Sequence, residues 1–365
     1  MIQSRLQTLR ALFAFALGAG LVPLCAAAVI PPGTVLAAKQ EMVRSNGGEP
    51  ESLDPTLIES TIAASVLNDL FEGLTAIDTH GQVVPGVAES WRQTDPVTWV
   101  FKLRKGALWS NGQPVTAGDF VYAWRRLVDP KSAAALASTD GAFLLNGVAI
   151  TQGKKPITDL GVRAIDAATL EVKTPGPIPF LPALLTFTQF SPTPRATIEK
   201  FGQDWTKPGN MVGNGAYVLK DWQVNSKVVV EKNPKYWDAA NVTPTRVTYL
   251  VEEDNTADLK LFQSGEDDFM LQLPPGTYAP LKAQYPKDIH TSVLVAMRFY
   301  TLNTTDPVKR KALLTQAVRV EMDDYPMIPL LQMSMPRLVK PWIGGYDDAN
   351  DQDAFRSKDF YVIRH

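Results

Sequence analysis

The sequence predicts an α/β fold with room for two lobes, and three observations carry that reading. Strand-like and helix-like stretches alternate along most of the chain. One stretch, Thr98 to Pro130, holds a strand, a turn and an amphipathic helix in a single α+β block. The chain has 365 residues, 45% hydrophobic and 20% charged, which is enough to bury a core in each of two lobes.

The elements follow in order. Residues 29–39 are proline-bearing and expected to be irregular, and Glu41–Ser45 is a short strand. Ser52-Leu-Asp-Pro55 reads as a turn. Ile58–Leu74 reads as a helix with an apolar stripe of Ile62, Val66, Leu67 and Leu70, stopped at Gly73. Pro85–Trp91 reads as a loop entering a short element. In the α+β block, Trp99, Phe101 and Leu103 alternate with Val100, Lys102 and Arg104, the period of a half-buried strand. Asn111-Gly112 marks the turn. Thr116 stands three residues before Asp119, a capping-box start for a helix. Phe120, Val121, Trp124 and Leu127 give that helix its apolar face, and Asp129-Pro130 ends it. Ala133–Ala137 has no strong preference. Asp159–Val172 reads as two strands around Ala164–Thr169, and Pro177–Leu185 as a proline-led helix. Thr193-Pro194 is a crossover, and Ala196–Phe201 a short helix. Gly213–Ala216 is a tight turn, and Tyr217–Trp222 pairs with Lys227–Lys232 as a hairpin ended by Asn233-Pro234. Val247–Val251 is a buried strand, and Thr256–Ser264 a helix ended by Gly265.

Charge and termini narrow the class. The net charge is −2 and there is no Lys/Arg-rich run, so nucleic-acid binding is unsupported. Arg5 and Arg10 precede an uncharged run, Ala11–Leu24, and then Cys25-Ala-Ala-Ala28. This is the layout of a secretory signal peptide over residues 1–28, with cleavage before Val29. A lipoprotein would use Cys25, but Pro23 and Leu24 stand where small residues are expected. With Cys25 removed the mature chain has no cysteine, so its core alone must hold it.

Catalytic constellations are missing. The three histidines, His80, His290 and His365, do not sit at metal-ligand spacing, so no metal is expected. There is no Gly-x-Ser-x-Gly elbow, phosphate loop or dinucleotide fingerprint, and no enzyme or cofactor is expected. Glu252-Glu-Asp254 and Glu266-Asp-Asp268 read as solvated loops. The eight tryptophans fall mostly at core spacing.

Several motifs carry a resemblance. Asn68-Asp-Leu-Phe-Glu-Gly-Leu74, Pro85-Gly-Val-Ala-Glu-Ser-Trp91, the Thr98–Pro130 block, Gly153–Gly161, Asn214–Trp222 and Asn233–Asp238 resemble the peptide-binding proteins of bacterial ABC importers. Arg337–Tyr346 and Tyr361–His365 resemble the ending of the oligopeptide- and murein-peptide-binding subgroup. The match runs in order along nearly the whole mature chain. It implies a type II periplasmic-binding-protein-like fold. By that resemblance, residues 29–71, 196–297 and 337–365 form the first lobe, and residues 72–195 an extra α+β domain. It also implies a monomeric periplasmic receptor without cofactors. Such a receptor holds an extended peptide by main-chain hydrogen bonds and delivers it to a membrane permease.

The chain departs from this family after Asn303. Thr304-Thr-Asp306 leads directly to a helix from Pro307 to about Met322 and a return strand Pro326–Met333. Residues 298–336 are therefore expected to be a remnant of a second lobe that is largely deleted. In the first lobe, Glu59, Ser60 and Thr61 fall where the family contacts its peptide, and Glu59 matches a glutamate of that strip. The family's tyrosine from the extra domain is Leu136 here.

Overall fold

The structure, a computed structural model, describes residues 30–298, 331–350, 352 and 354–365. The expected signal peptide with Cys25, the helix Pro307–Met322 and most of the return strand lie outside those residues.

The first part of the chain gives β1 (Glu41–Ser45), α1 (Thr61–Leu70), β2 (Thr75–Ile77), β3 (Val83–Pro85), β4 (Ala88–Asp95) and β5 (Thr98–Leu103). Then come α2 (Ala117–Val128), α3 (Ala137–Gly141), α4 (Gly147–Thr151), β6 (Val162–Asp166), β7 (Thr169–Lys173), α5 (Leu181–Leu184) and α6 (Arg195–Phe201). The second part gives β8 (Tyr217–Gln223), β9 (Lys227–Lys232), β10 (Arg246–Leu250), α7 (Asn255–Ser264), β11 (Phe269–Met270) and α8 (Tyr278–Gln284). It closes with β12 (Ile289–Arg298), β13 (Leu331–Val339), β14 (Ile343–Gly344) and β15 (Tyr361–Val362).

Two main sheets organise these elements. A mixed seven-stranded sheet runs β12-β13-β11-β1-β10-β9-β8, with β1 parallel to both β10 and β11. An antiparallel sheet β4-β5-β7-β6 belongs with α2, α3 and α4. The α+β block folds as its pattern dictates. Trp99, Phe101 and Leu103 are buried on one face of β5. Thr116 and Asp119 close the capping box of α2, and Phe120, Trp124 and Leu127 are buried along it.

Several local readings are corrected. The helix expected over Ile58–Leu74 spans only Thr61–Leu70, because Ser60 caps its start and Phe71 turns extended, leaving Gly73 outside it. Gly73 has another constraint: a Cβ there would meet the Leu185 carbonyl oxygen at 2.9 Å. Pro85–Trp91 does run from a loop into a strand, but the loop is only Gly86-Val87, since β3 ends at Pro85 and β4 begins at Ala88. The connection inside Asp159–Val172 is tighter than expected, and Ala164–Asp166 belong to β6. Pro177–Leu185 holds only the single turn α5. Gly213–Ala216 is a close approach between segments: a Cβ on Gly213 would lie 2.2 Å from the Leu70 carbonyl oxygen, and one on Gly215 would lie 2.3 Å from that of Asp69. Glycine is required there by packing.

The stretch Glu266–Asp268 is not a solvated loop. Asp267 is fully buried, and Asp268 accepts hydrogen bonds from the backbone N–H of Val43 at 2.9 Å and from Trp342 Nε1 at 2.9 Å. Its place between α7 and β11 carries it under the sheet, which charge count alone does not reveal.

A buried acid in the α+β module sets a pH dependence. Burial pushes the Asp140 carboxyl up to about 6. An unfolded aspartate titrates near 3.9, so between about pH 4 and 6 the folded chain keeps a proton the unfolded chain has released. Stability should therefore fall as pH rises through that window, by up to about 2–3 kcal/mol, and change no further above it. Urea unfolding of Asp140→Asn across this range should give a flatter curve. A slope equal to that of the parent chain would refute the assignment.

Candidate functional site

The strip Glu59–Thr61 lies beyond the carboxyl end of β1, at the start of α1. β1 and β10 run parallel and end together at Ser45 and Leu250. In open α/β sheets the crevice outside the carboxyl ends of such strands is the usual ligand position. Here the backbone N–H of Asn46 extends the pairing to the Leu250 carbonyl by 2.9 Å. Gly47, at φ +71°, then turns the chain across the rim.

Residues 46–60 are fastened to that rim by acidic side chains. Glu49 accepts from Trp222 Nε1 at 2.7 Å and from the Asn225 N–H at 2.8 Å. Glu51 accepts from the N–H groups of Glu59 at 2.7 Å and Ser60 at 2.8 Å, and from the Ser60 hydroxyl at 2.5 Å. Burial opposes ionisation of Glu51, but the Ser60 hydroxyl and these two N–H groups outweigh it and hold its carboxyl below the usual range. Asp54 is buried and forks with Arg126 of α2, whose Nη1 lies 2.8 Å from Asp54 Oδ1 and 2.8 Å from Thr56 Oγ1. Trp205 Nε1 donates to the same carboxylate at 3.2 Å. The strip is therefore tied both to the large sheet and to the α+β module.

The three expected contact residues have different roles in this geometry. Ser60 is committed: its hydroxyl donates to Glu51 and accepts from the Ala63 N–H at 3.1 Å as the cap of α1. Glu59 and Thr61 are exposed, and no described side chain pairs with the Glu59 carboxylate. The structure thus leaves the Glu59 carboxylate available within the strip. Leu136 is half-buried just before α3 and offers no polar atom.

Beneath the strip lies an ionic core that the residue pattern did not reveal. Asp69 accepts from Tyr249 Oη at 2.7 Å and from the Ser357 N–H at 2.9 Å. Burial raises its carboxyl, against the hydrogen bonds of Ser357 and Tyr249 and the charge of Arg44. Glu72 accepts from Tyr236 Oη at 2.5 Å and Trp237 Nε1 at 2.6 Å, with Arg356 Nη1 3.6 Å away. Asn214 makes a reciprocal pair with the Glu72 backbone, at 3.1 and 2.8 Å. The Asn68–Leu74 motif therefore carries buried charges that fix residues 355–360 against the sheet.

A second concavity of about 280 Å³ lies between the Trp109–Thr116 turn and the start of α6. It is lined by Asn111, Gln113, Asp119, Arg195 and Thr197 among others, and does not include Glu59–Thr61. Asp119 is occupied by Thr116, and Arg195 by Glu199. His80 and His290 pair separately with Asp347 and Asp348. Among the described residues no group of three or more His, Cys, Asp or Glu is placed to hold a metal, and no helix is long and apolar enough to cross a membrane.

Residues 82–354 match the family described as bacterial extracellular solute-binding proteins, family 5 Middle. The periplasmic oligopeptide-binding protein OppA of Escherichia coli (strain K12) is 45% identical over 310 residues, covering 84% of this chain and 57% of that protein. The chain spans about half the length of the curated relatives it matches. The solved structure of Burkholderia pseudomallei OppA superposes with a TM-score of 0.82 at 29% identity, covering 90% of this chain and 100% of that one. The Escherichia coli murein tripeptide binding protein MppA gives 0.83 at 26% identity, covering 91% and 100%. These likenesses bear out the type II periplasmic-binding-protein-like α/β fold. With residues 82–354 matched and its sheets in place, the chain belongs to the family 5 bacterial extracellular solute-binding proteins.

Proposed function

We propose that this chain is the solute-binding component of an ABC importer. It takes oligopeptides, murein peptides among them, in the periplasm and delivers them to a membrane permease. Relatives named as periplasmic oligopeptide- and murein peptide-binding proteins support this reading. The observation that carries it is the exposed Glu59 carboxylate at the start of α1, beside Glu49, Glu51 and Asp54, which are already engaged. A free carboxylate there can meet the ammonium end of an extended peptide, with Thr61 beside it. The reading includes a signal peptide over residues 1–28 and a monomer. It includes a first lobe of residues 29–71, 196–297 and 337–365, with the extra domain at 72–195 and residues 298–336 as remnant. It is a binding function without catalysis or cofactor.

On an open face, main-chain hydrogen bonds to a peptide compete with water and gain only about 1 kcal/mol each. Binding should be weak, on the order of a millimolar dissociation constant or about −4 kcal/mol. Titration calorimetry with mixed di- to pentapeptides should show this, with Glu59→Gln weakening it further. Submicromolar affinity would refute the open-face geometry. The engagement of Ser60 with Glu51 favours a second reading, a receptor without a high-affinity ligand. Absence of any saturable response up to about 10 mM peptide would select it.

A further inference from the structure

The Glu59 side chain is exposed and no described side chain pairs with it, so its position depends on its backbone. One carboxylate holds that backbone. Glu51 Oε1 accepts from the Glu59 N–H at 2.7 Å and from the Ser60 N–H at 2.8 Å, and Glu51 Oε2 accepts from the Ser60 hydroxyl at 2.5 Å. The chain between these residues is anchored from below. Leu53, Asp54, Thr56 and Ile58 are buried, and Asp54 Oδ1 accepts from the Thr56 N–H at 3.0 Å and from Arg126 Nη1 at 2.8 Å. Ser60 by itself caps α1, through the Ala63 N–H. The two N–H groups that Glu51 takes lie before the helix begins at Thr61, within the strip expected to meet a peptide. Glu51 is itself exposed and belongs to no core.

We propose that Glu51 is the positioning residue of this strip: it fixes the main chain at Glu59 and Ser60 so that the Glu59 carboxylate meets the amino end of a bound peptide. This rests on the reading of Glu59 given above. Glu51 acts through Glu59 and does not touch the peptide. A side chain whose backbone is already fixed has less freedom to lose on binding, and that preorganisation is the source of the effect. The arrangement also sets specificity. With the N–H groups of Glu59 and Ser60 taken by Glu51, recognition here runs through the Glu59 carboxylate, which distinguishes a free ammonium from a blocked amino end. Both N–H groups end on the same oxygen, so two variants should behave differently. Glu51→Gln keeps an acceptor for both and can donate its amide to the Ser60 hydroxyl oxygen, whereas Glu51→Ala loses all three bonds.

Amide hydrogen exchange of the full chain without peptide reads the hold itself. Exchange at Glu59 and Ser60 should be about tenfold faster in Glu51→Ala and close to the parent in Glu51→Gln. Ligand-observed NMR titration with trialanine and N-acetyl-trialanine reads the consequence. Glu51→Ala should weaken trialanine about fivefold and leave the acetylated peptide unchanged, while Glu51→Gln retains most of the parent affinity. In a Glu59→Gln background Glu51→Ala should add no further loss, because the two residues act as one unit. Equal weakening of both peptides, an equal loss in Glu51→Gln, or losses that add in the double variant would overturn the positioning role. So would parent affinity in Glu51→Ala while Glu59→Gln binds more weakly, and that result would leave the reading of Glu59 standing. Trialanine binding that Glu59→Gln does not weaken, or none in the parent, would instead overturn the reading of Glu59 and the positioning role with it.

Discussion

Replacing Arg44 with alanine is expected to cost the chain about 3–5 kcal/mol of stability, read as a lower urea midpoint. Arg44 is 2% exposed and lies in β1, inside the seven-stranded sheet. Its Nη1 donates to the Phe355 carbonyl and to Ser357 Oγ, each at 3.3 Å. Its guanidinium stands 4.9 Å from the ring centre of Phe269, 5.2 Å from Tyr249 and 5.9 Å from Phe360. Removing it leaves Asp69 buried without a countercharge and a void between three rings. Arg44→Lys should recover little, since a compact ammonium cannot span those rings and acceptors as a planar guanidinium does. Arg44→Met combined with Asp69→Asn should recover much of the loss, because deleting both charges removes the uncompensated one. A midpoint for Arg44→Ala within about 0.5 kcal/mol of the parent would show that the ionic core does not hold residues 355–360 against the sheet.

Trp124→Ala should cost a similar amount, about 3–5 kcal/mol, for a different reason. Trp124 is fully buried on α2 and packs edge-on against Phe120 and Phe190, with centroids 6.2 and 5.6 Å away. Its Nε1 donates to the Phe190 carbonyl at 2.9 Å. The variant opens a large cavity and leaves that carbonyl without its donor. Hydrogen exchange should localise the damage to the β4-β5-β7-β6 sheet and its helices before the seven-stranded sheet is affected. Uniform loss of protection in both sheets would instead mean that the α+β module has no separate stability.

The two variants differ in how far their sites could be read beforehand. Trp124 was legible because α2 declares itself within a dozen residues, through a capping box, a helical apolar period and a proline stop. Those signals act over one or two turns, and the structure keeps them. Arg44 was not legible. In the strand pattern of Glu41–Ser45 it is one polar residue among alternating ones. Asp54 is similar: it stood in a recognisable turn, yet its fork with Arg126 joins positions 72 residues apart. The candidate site was located by motif resemblance, which placed Glu59–Thr61. Only the assembled rim separates Ser60, engaged as a helix cap, from Glu59, left exposed.

The sequence by itself determined the α/β class, the strand–turn–helix block, the hairpin of β8 and β9, and the family. Each of these is encoded in spacing, turn chemistry or motif order over short stretches. Tertiary structure alone decided which charges are buried. Arg44 meets Ser357 across 313 positions, and Asp69 meets the same residue across 288. The physical reason is that a charge can be buried only where partners from elsewhere neutralise and hydrogen-bond it. Periodicity reports which face of an element is apolar, and says nothing about which distant segment will cover a polar one.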